Sequence, residues 1–578
     1  MAELEYTVAS DSDTTGDGKS SPPSPEVAIG IDIGTSQSSV AIWNGCDAEL
    51  LGNGQKRLRS YVKFDDEIPV DGISNQLSRE YEILSGAAIF NMKRLVGRVD
   101  TDPIIQASKS LPFLVQTLDI GVRPFVAALV NNVWRSMTPE EVLSIFLLEL
   151  KTMAEVHLKR PVRNAVLTIP VSFTRFQLSR VERACAMAGL HVRRLIPEPT
   201  AVALLYAQQQ LQHVTENMGS EREKVALIFN MGAGFCDVAV TSTAGGVTEI
   251  KAMRGSTLGG EDILLNMMHL LLPDMNIHFS SRGIDEIRKM GSFRVATQDA
   301  IHKLSSQSSV QIDLDLGNGR KIYRSIDREE FEEVNKEVFA ECERLIISCL
   351  LEAKVENIEG IHEVILVGGC SNIPKLQNIV KGICKRDFYP GIHPLEAAVR
   401  GAAIAGVLTS EFNDSLGIEL LMIQATPRSI GIKAHGNNYV PIILQNTTIP
   451  VKRELVFTTI RDNQTEALLF VFEGNENTVE KNHLLGYFKI PGIPLAPKGV
   501  PHIVLCMNID SSNNLKVCVG VVMPGERNPA TPLMEVRMPT VDGDHGLCAE
   551  ALRRTYGDSF DLVAVQGKLD VEKVRRMY

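Results

Sequence analysis

From Val27 to Trp43 the chain reads VAIGIDIGTSQSSVAIW, and from Val225 to Thr241 it reads VALIFNMGAGFCDVAVT. Each stretch is an apolar β-type run, a polar residue (Asp32, Asn230), a glycine two places on (Gly34, Gly232) and a second β-type run. A pattern that recurs roughly 200 residues along the chain points to two structurally related lobes rather than to a solenoid. Taken singly, either stretch is equally a plain hairpin around a common turn.

The text between and after the hairpins alternates helix and strand, as in an α/β protein. Thr138-Pro139-Glu140-Glu141 opens a helix with Thr as N-cap, Pro in the first turn and acids at the positive dipole end. Its apolar period runs to about Leu158, and a strand, Asn164 to Ile169, follows and stops at Pro170. Helical segments are expected near Asp262–Leu272 and Glu330–Val355, then a strand-to-glycine turn, VILVGGCSN (Val364–Asn372). Past Ser410 a short acidic-apolar stretch, Glu419 to Ile423, reads as a linker. From Thr426 short alternating strands broken by Gly, Asn and Pro read as an all-β module. Beyond Met523 lie a Pro-rich loop and two short helical candidates, EALRRTY and VEKVRRMY.

At 578 residues the chain is too long for one core, and length suggests about three or four domains. A net charge of -11 argues against nucleic acid or a membrane surface as partner. Ten cysteines without a C-x-x-C pair read as reduced thiols of a reducing compartment. Met1 to Pro25 is acidic and rich in Ser, Thr, Gly and Pro, the composition of a disordered tail rather than a signal or transit peptide. A cytoplasmic protein, cytosolic or nuclear, is the expectation.

A strand–turn–strand bearing Gly and small hydroxyl residues lets backbone N–H groups approach phosphate oxygens. An acid before the glycine can sit near the metal that neutralises those phosphates. Two such hairpins face to face would clamp the β- and γ-phosphates of a nucleotide, which is the actin-like ATPase plan. Five runs narrow it: GIDIGTSQSSVAIW, NMKRLVGR, IPEPTAVALLYA, TLGGED and VILVGGCSNIPKLQ. Together with ATPRSIGI, NTTIPVKRELVFTTIRDNQ and GIPLAPKGVPHI further on, they resemble the heat-shock protein 70 chaperone family from about Val27 to Met523. A small-molecule kinase on the same lobes would lack the β-module.

The resemblance implies an actin-like (duplicated ribonuclease H-like) two-lobed nucleotide-binding domain at 26–411, a linker at 412–424 and a β-sandwich substrate domain at 425–523. The tail at 1–25 and a truncated C-terminal segment at 524–578, in place of a helical lid, flank them. It implies ATP or ADP with Mg2+ as cofactor, unfolded or extended polypeptides as clients, and nucleotide exchange factors as partners. Carried over residue by residue, Asp32 faces the metal through water, Lys93 orients the attacking water, and Glu198 and Asp237 complete the catalytic set. Gly34, Thr35, Ser36, Gly232, Gly234, Gly259, Gly260, Glu261, Ser305, Gly368 and Gly369 match nucleotide-facing positions. Ile432, Phe457, Ala467 and Leu469 match the apolar pocket that grips an extended peptide.

The pattern fails in places. Where the family reads D-L-G-G-G-T-F-D, this chain has Asn230 through Asp237 as NMGAGFCD. Asn230 lacks the carboxylate charge, Ala233 adds a methyl, and Phe235 replaces a hydroxyl near the γ-phosphate. Phosphoryl transfer depends on placed charge, so slow or absent ATP hydrolysis is expected, and weak nucleotide binding. Gln298, Ile301, His302, Asn372 and Leu395 stand where the family holds adenosine with charged groups. Leu178 replaces an arginine that partners the relay proline, here Pro170. Gln424 replaces a linker acid that serves J-domain docking, so J-domain dependence is not expected to carry over intact; the linker is expected to keep a docking strand. Ala434 and Ile460 alter the arch over the peptide, while His435 fills another arch position and reads as a surface residue. The rival reading is a pseudo-ATPase, a holdase or regulator of other chaperones.

Overall fold

The computed structural model describes residues 28–52, 57–64, 88–108, 110–117, 123–130, 133–217, 223–279, 283–317, 319–355, 357–410, 420–434, 438–525, 533–540 and 562–564. Both expected hairpins form. β1 (Ile29–Asp32) pairs antiparallel with β2 (Gln37–Trp43), which in turn pairs with β3 (Ala48–Leu50). On its other side β1 runs parallel to β4 (Asn164–Ile169), itself parallel to β5 (His191–Pro197). The second sheet repeats this plan. β6 (Lys224–Met231) pairs antiparallel with β7 (Cys236–Ala244), β7 with β8 (Val247–Ser256), and β6 runs parallel to β9 (Glu363–Val367). The topological repeat is the duplicated, two-lobed α/β architecture that the sequence pattern called for.

The lobes pack closely because small residues line their seam. A Cβ on Gly30 in β1 would lie 2.3 Å from the Ala403 amide, and one on Gly401 1.8 Å from the Ala201 carbonyl. Ala201 belongs to α4 (Glu198–Asn217), whereas Ala403 and Gly401 belong to α9 (Ala397–Leu408). Helix α2 (Pro139–Leu158) begins as the sequence requires: Thr138 Oγ1 accepts from the Glu141 amide at 3.3 Å, and Glu141 accepts from the Thr138 amide at 2.7 Å. Helix α3 (Arg175–Met187) carries the same box between Thr174 and Gln177. α5 (Gly260–Leu271) and α6 (Ile284–Leu304) follow β8. The stretch 330–355 is not one helix but two, α7 (Arg328–Val334) and α8 (Lys336–Glu352). The break falls at fully buried Asn335, whose side chain donates to the Phe331 carbonyl at 3.0 Å and so competes with the backbone ladder.

The apolar linker is a strand. β10 (Leu421–Ile423) runs parallel to Val247–Glu249 of β8, closing the second sheet; residues 411–419 lie outside the described residues. The β-module is a two-sheet sandwich. One sheet has the order β12 (Tyr439–Ile443), β11 (Ile430–Lys433), β14 (Glu466–Glu473), β15 (His483–Pro491). In the other, β13 (Val451–Thr459), β16 (His502–Ile509) and β17 (Leu515–Val522) lie side by side. Past Met523 the sequence shows a loop and helical candidates, but the structure adds strands: β18 (Met534–Met538) on β17 and β19 (Leu562–Ala564) on β13. Both helical candidates, EALRRTY and VEKVRRMY, lie outside the described residues, as does His435.

The sandwich is docked on the lobes. The Arg175 amide at the start of α3 donates to Glu473 at 2.8 Å and its guanidinium to the Asn513 side chain at 2.8 Å. Arg428 donates to the Ser172 carbonyl at 2.6 Å, and Asn446 accepts from the Met253 amide at 2.9 Å while donating to Glu352 at 2.7 Å. Leu178 packs against the first lobe's core.

Candidate nucleotide site

A cleft of about 450 Å³ opens between the lobes where the two hairpin turns meet. A Cβ on Gly234 would lie 2.3 Å from Thr35 Oγ1, so the turns touch across the cleft. In the first turn the Gly34 amide donates to Ser38 Oγ at 3.1 Å; Thr35 is buried and Ser36 exposed. In the second, the Gly232 amide donates to the Phe235 carbonyl at 3.0 Å, and space around the Gly232 Cα is open. In the third turn Gly368 adopts φ +88°, a conformation suited to glycine, and its amide donates to the Pro394 carbonyl at 3.0 Å. The three glycine turns converge on one cleft, and the open space at Gly232 lets phosphate oxygens fit against the backbone there.

Asp32, Gly34, Thr35, Ser36, Lys93, Glu198, Asn230, Gly232, Gly234, Gly260, Glu261, Ser305, Gly368 and Gly369 all line this cleft. Asp237 and Gly259 stand behind the wall. The Gly260 amide is already bonded to the Gly232 carbonyl at 3.1 Å and the Glu261 amide to the Ala233 carbonyl at 2.7 Å. The start of α5 therefore braces the second turn.

The charged groups form one network. Lys93, on the one-turn helix α1 (Met92–Leu95), places Nζ 2.5 Å from Glu198 Oε1, and Asn230 Nδ2 donates to Glu198 Oε2 at 2.5 Å. Both oxygens of Glu198, at the start of α4, are thus occupied. An aspartate at 230 could not donate there; it would set carboxylate against carboxylate. Asp32 accepts from Thr168 Oγ1 at 2.5 Å, yet burial first and Glu198 second push its carboxyl up to about 6, against the pull of Lys93 and Thr168. Asp237 is fully buried. It accepts from the Val171 amide at 3.2 Å through Oδ2, its Oδ1 has no hydrogen-bond partner, and burial, then Glu198, raise it well above the usual carboxylate range.

The sequence reading gave no role to Arg94 or Arg294, the two cations beside Glu261. Burial alone would raise Glu261, but Arg294 and Arg94 outweigh it, with hydrogen bonds from Arg294 and from Asn91 at 2.8 Å, and hold it below its ordinary value. Arg294 lies four residues before Gln298 on α6, so both fall on one face, a spacing visible in the sequence. Phe235 does more than displace a hydroxyl. It packs into the first lobe's core, edge-on to Phe173 at 5.5 Å, with Lys93 5.9 Å from its ring centroid. At the nucleoside end Gln298, Ile301, His302 and Leu395 line the cleft, and Asn372 folds back onto the Gly369 carbonyl at 3.3 Å. Among the described residues no cluster of three His, Cys, Asp or Glu side chains forms a metal-ligand set. Ile432, Phe457, Ala467 and Leu469 share the sandwich core, each at most 1% exposed; Ala434 follows β11 and Ile460 follows β13, both half-buried.

A family model described as Hsp70 protein matches residues 28–522. The chain belongs to the Hsp70 family. Heat shock 70 kDa protein 8 of Arabidopsis thaliana is 60% identical over 575 residues, covering 98% of this chain and 100% of that protein. A heat shock 70 kDa protein of Neurospora crassa is 33% identical over 87% of this chain and 77% of its own length. Heat shock cognate 70 kDa protein 3 of Dictyostelium discoideum is 33% identical over 85% and 77%. This Hsp70 is therefore a chaperone of the ATP-binding heat-shock type, in a family that binds ATP and ADP with Mg2+ and unfolded polypeptide clients. No helix among the described residues is long and apolar enough to cross a membrane.

Proposed function

We propose that this Hsp70 holds Mg-ATP or Mg-ADP in the interlobe cleft, hydrolyses ATP slowly, and binds extended apolar polypeptide segments through its sandwich. One observation carries the slow step: Glu198 is bonded on one oxygen by Lys93 and on the other by Asn230. Bound Mg2+ supplies charge that neutralises the phosphates. Asp32 would face it through water, Thr35, Ser36, Gly234 and Gly369 would offer backbone amides to the phosphates, and Gly34, Gly232 and Gly368, whose amides are bonded within their own turns, would shape the backbone around them. Lys93, drawn onto Glu198, is poorly placed to orient a water. Ser305 and Glu261 border the nucleoside end, where loss of each packed cation forfeits roughly 0.5–2 kcal/mol. We assign the nucleotide domain to 26–411, the linker to 412–424 and the client domain to 425–523, extended by the strands at Met534–Met538 and Leu562–Ala564, with Ile432, Phe457, Ala467 and Leu469 under the peptide. Action in the cytosol, with nucleotide exchange factors as partners, belongs to the same reading; the Gln424 substitution weighs against an ordinary J-domain partnership.

Calorimetry with Mg-ATP and Mg-ADP, paired with single-turnover hydrolysis, tests it. Measurable binding with slow cleavage is expected, and Asn230→Asp should raise the cleavage rate by up to ~10²–10³-fold, the worth of one placed electrostatic group. Wild-type cleavage at the rate ordinary for the Hsp70 family would sink the slow-hydrolysis reading, whereas equally slow cleavage by both chains would mean that Ala233 or Phe235 also limits the step. Failure of both nucleotides to bind would leave a nucleotide-independent holdase in its place.

A further inference from the structure

The sheet containing β13 ends on β19, which is not contiguous with it in the chain. Phe457 stands opposite Ala564, Thr458 opposite Val563 and Thr459 opposite Leu562, antiparallel. On its inner side β13 pairs with β16 along its length, from Val451 opposite Ile509 to Thr458 opposite His502. Without β19 the outer side of Phe457–Thr459 would be an open edge, a row of backbone donors and acceptors ready for another strand. β19 also approaches β14, the strand of Ala467 and Leu469. The internal strand thus lies along the residues assigned above to client binding. Its own sequence, Leu-Val-Ala followed by Val565, is uncharged, apolar and β-forming, the composition of an extended client segment.

We propose that Leu562–Ala564 occupies the peptide-docking edge of this chain's own sandwich, so that a client must displace an internal strand before it can pair with β13. The proposal rests on the client-binding reading above. Strand addition supplies main-chain hydrogen bonds to whichever segment occupies the edge, so internal and external strands exclude one another. An internal segment with an effective concentration of ~1 mM and an intrinsic Kd of ~100 µM lowers the apparent affinity of a free peptide about tenfold. Binding is therefore weak until β19 leaves.

The test uses the full chain, a fluorescent extended apolar heptapeptide and the variant Val563→Pro, which removes a backbone donor and fits poorly in a ladder. Anisotropy titrations should give an about tenfold lower Kd for Val563→Pro than for wild type, with Val563→Ile behaving as wild type. Amide exchange across 457–459 should accelerate in the proline variant and not in the isoleucine one. Equal peptide affinity in all three chains, or unchanged exchange at 457–459, overturns the proposal. Accelerated exchange without peptide binding by any chain would instead sink the client-binding reading, and the competitor role with it.

Discussion

Asn230 changes its neighbours more than it changes itself. A carboxylate there would repel Glu198, whereas the amide bonds it, and Lys93 completes the clamp. The absent charge could be read from one letter of the sequence. That the amide would bond Glu198 could not, because the pairing depends on how the lobes meet. Asp32 remains a partly desolvated carboxyl, raised from 3.8 to about 6 by burial and by Glu198. Between those values the folded protein binds a proton that the unfolded chain has lost, so stability from this group is full below pH 3.8 and is lost as pH rises through 6. Asp32→Asn is accordingly expected to raise the melting temperature at pH 7.5 by a few degrees, with the gain vanishing below pH 4. Thermal melts of both chains across that range check it; a gain independent of pH would mean another cause.

Among elements, the ones legible in the sequence had strong local signals. The capping box at Thr138, the strand stopped at Pro170 and the paired hairpins each rest on residues adjacent in the chain. β18 and β19 were missed because short edge strands carry little periodicity and owe their pairing to distant partners. The linker shows the intermediate case: its apolar letters suggested docking, and its parallel register on Val247–Glu249 came only from the fold. Met422, opposite Thr248, sits mid-strand. Met422→Pro should therefore release β10, seen as faster amide exchange at 247–249 and faster proteolysis of the linker. Unchanged exchange would mean that the pairing does not hold the linker in solution.

At the scale of the whole molecule, the segment from Pro170 to Arg175, itself part of the first lobe, touches both other bodies. The Val171 amide meets Asp237 of the second lobe, the Ser172 carbonyl meets Arg428 of the sandwich, and Arg175 meets Glu473. Glu473 and Arg175 are both buried, with Arg175 Nε 3.5 Å from Glu473 Oε1. Arg175→Ala would take the guanidinium from that carboxylate while leaving it the backbone amide of residue 175 and the nearby Arg428 charge, a loss of roughly 1.5–3 kcal/mol. Calorimetry should show the sandwich melting apart from the lobes in this variant and together with them in wild type; identical traces would mean the contact contributes nothing. The strand at Leu562–Ala564 has a consequence of another kind. An uncovered flat edge is where a second molecule can add its own strand and start an aggregate. By capping that edge from within, the chain shields itself from its neighbours, and any change that lets clients in faster also exposes it to copies of itself.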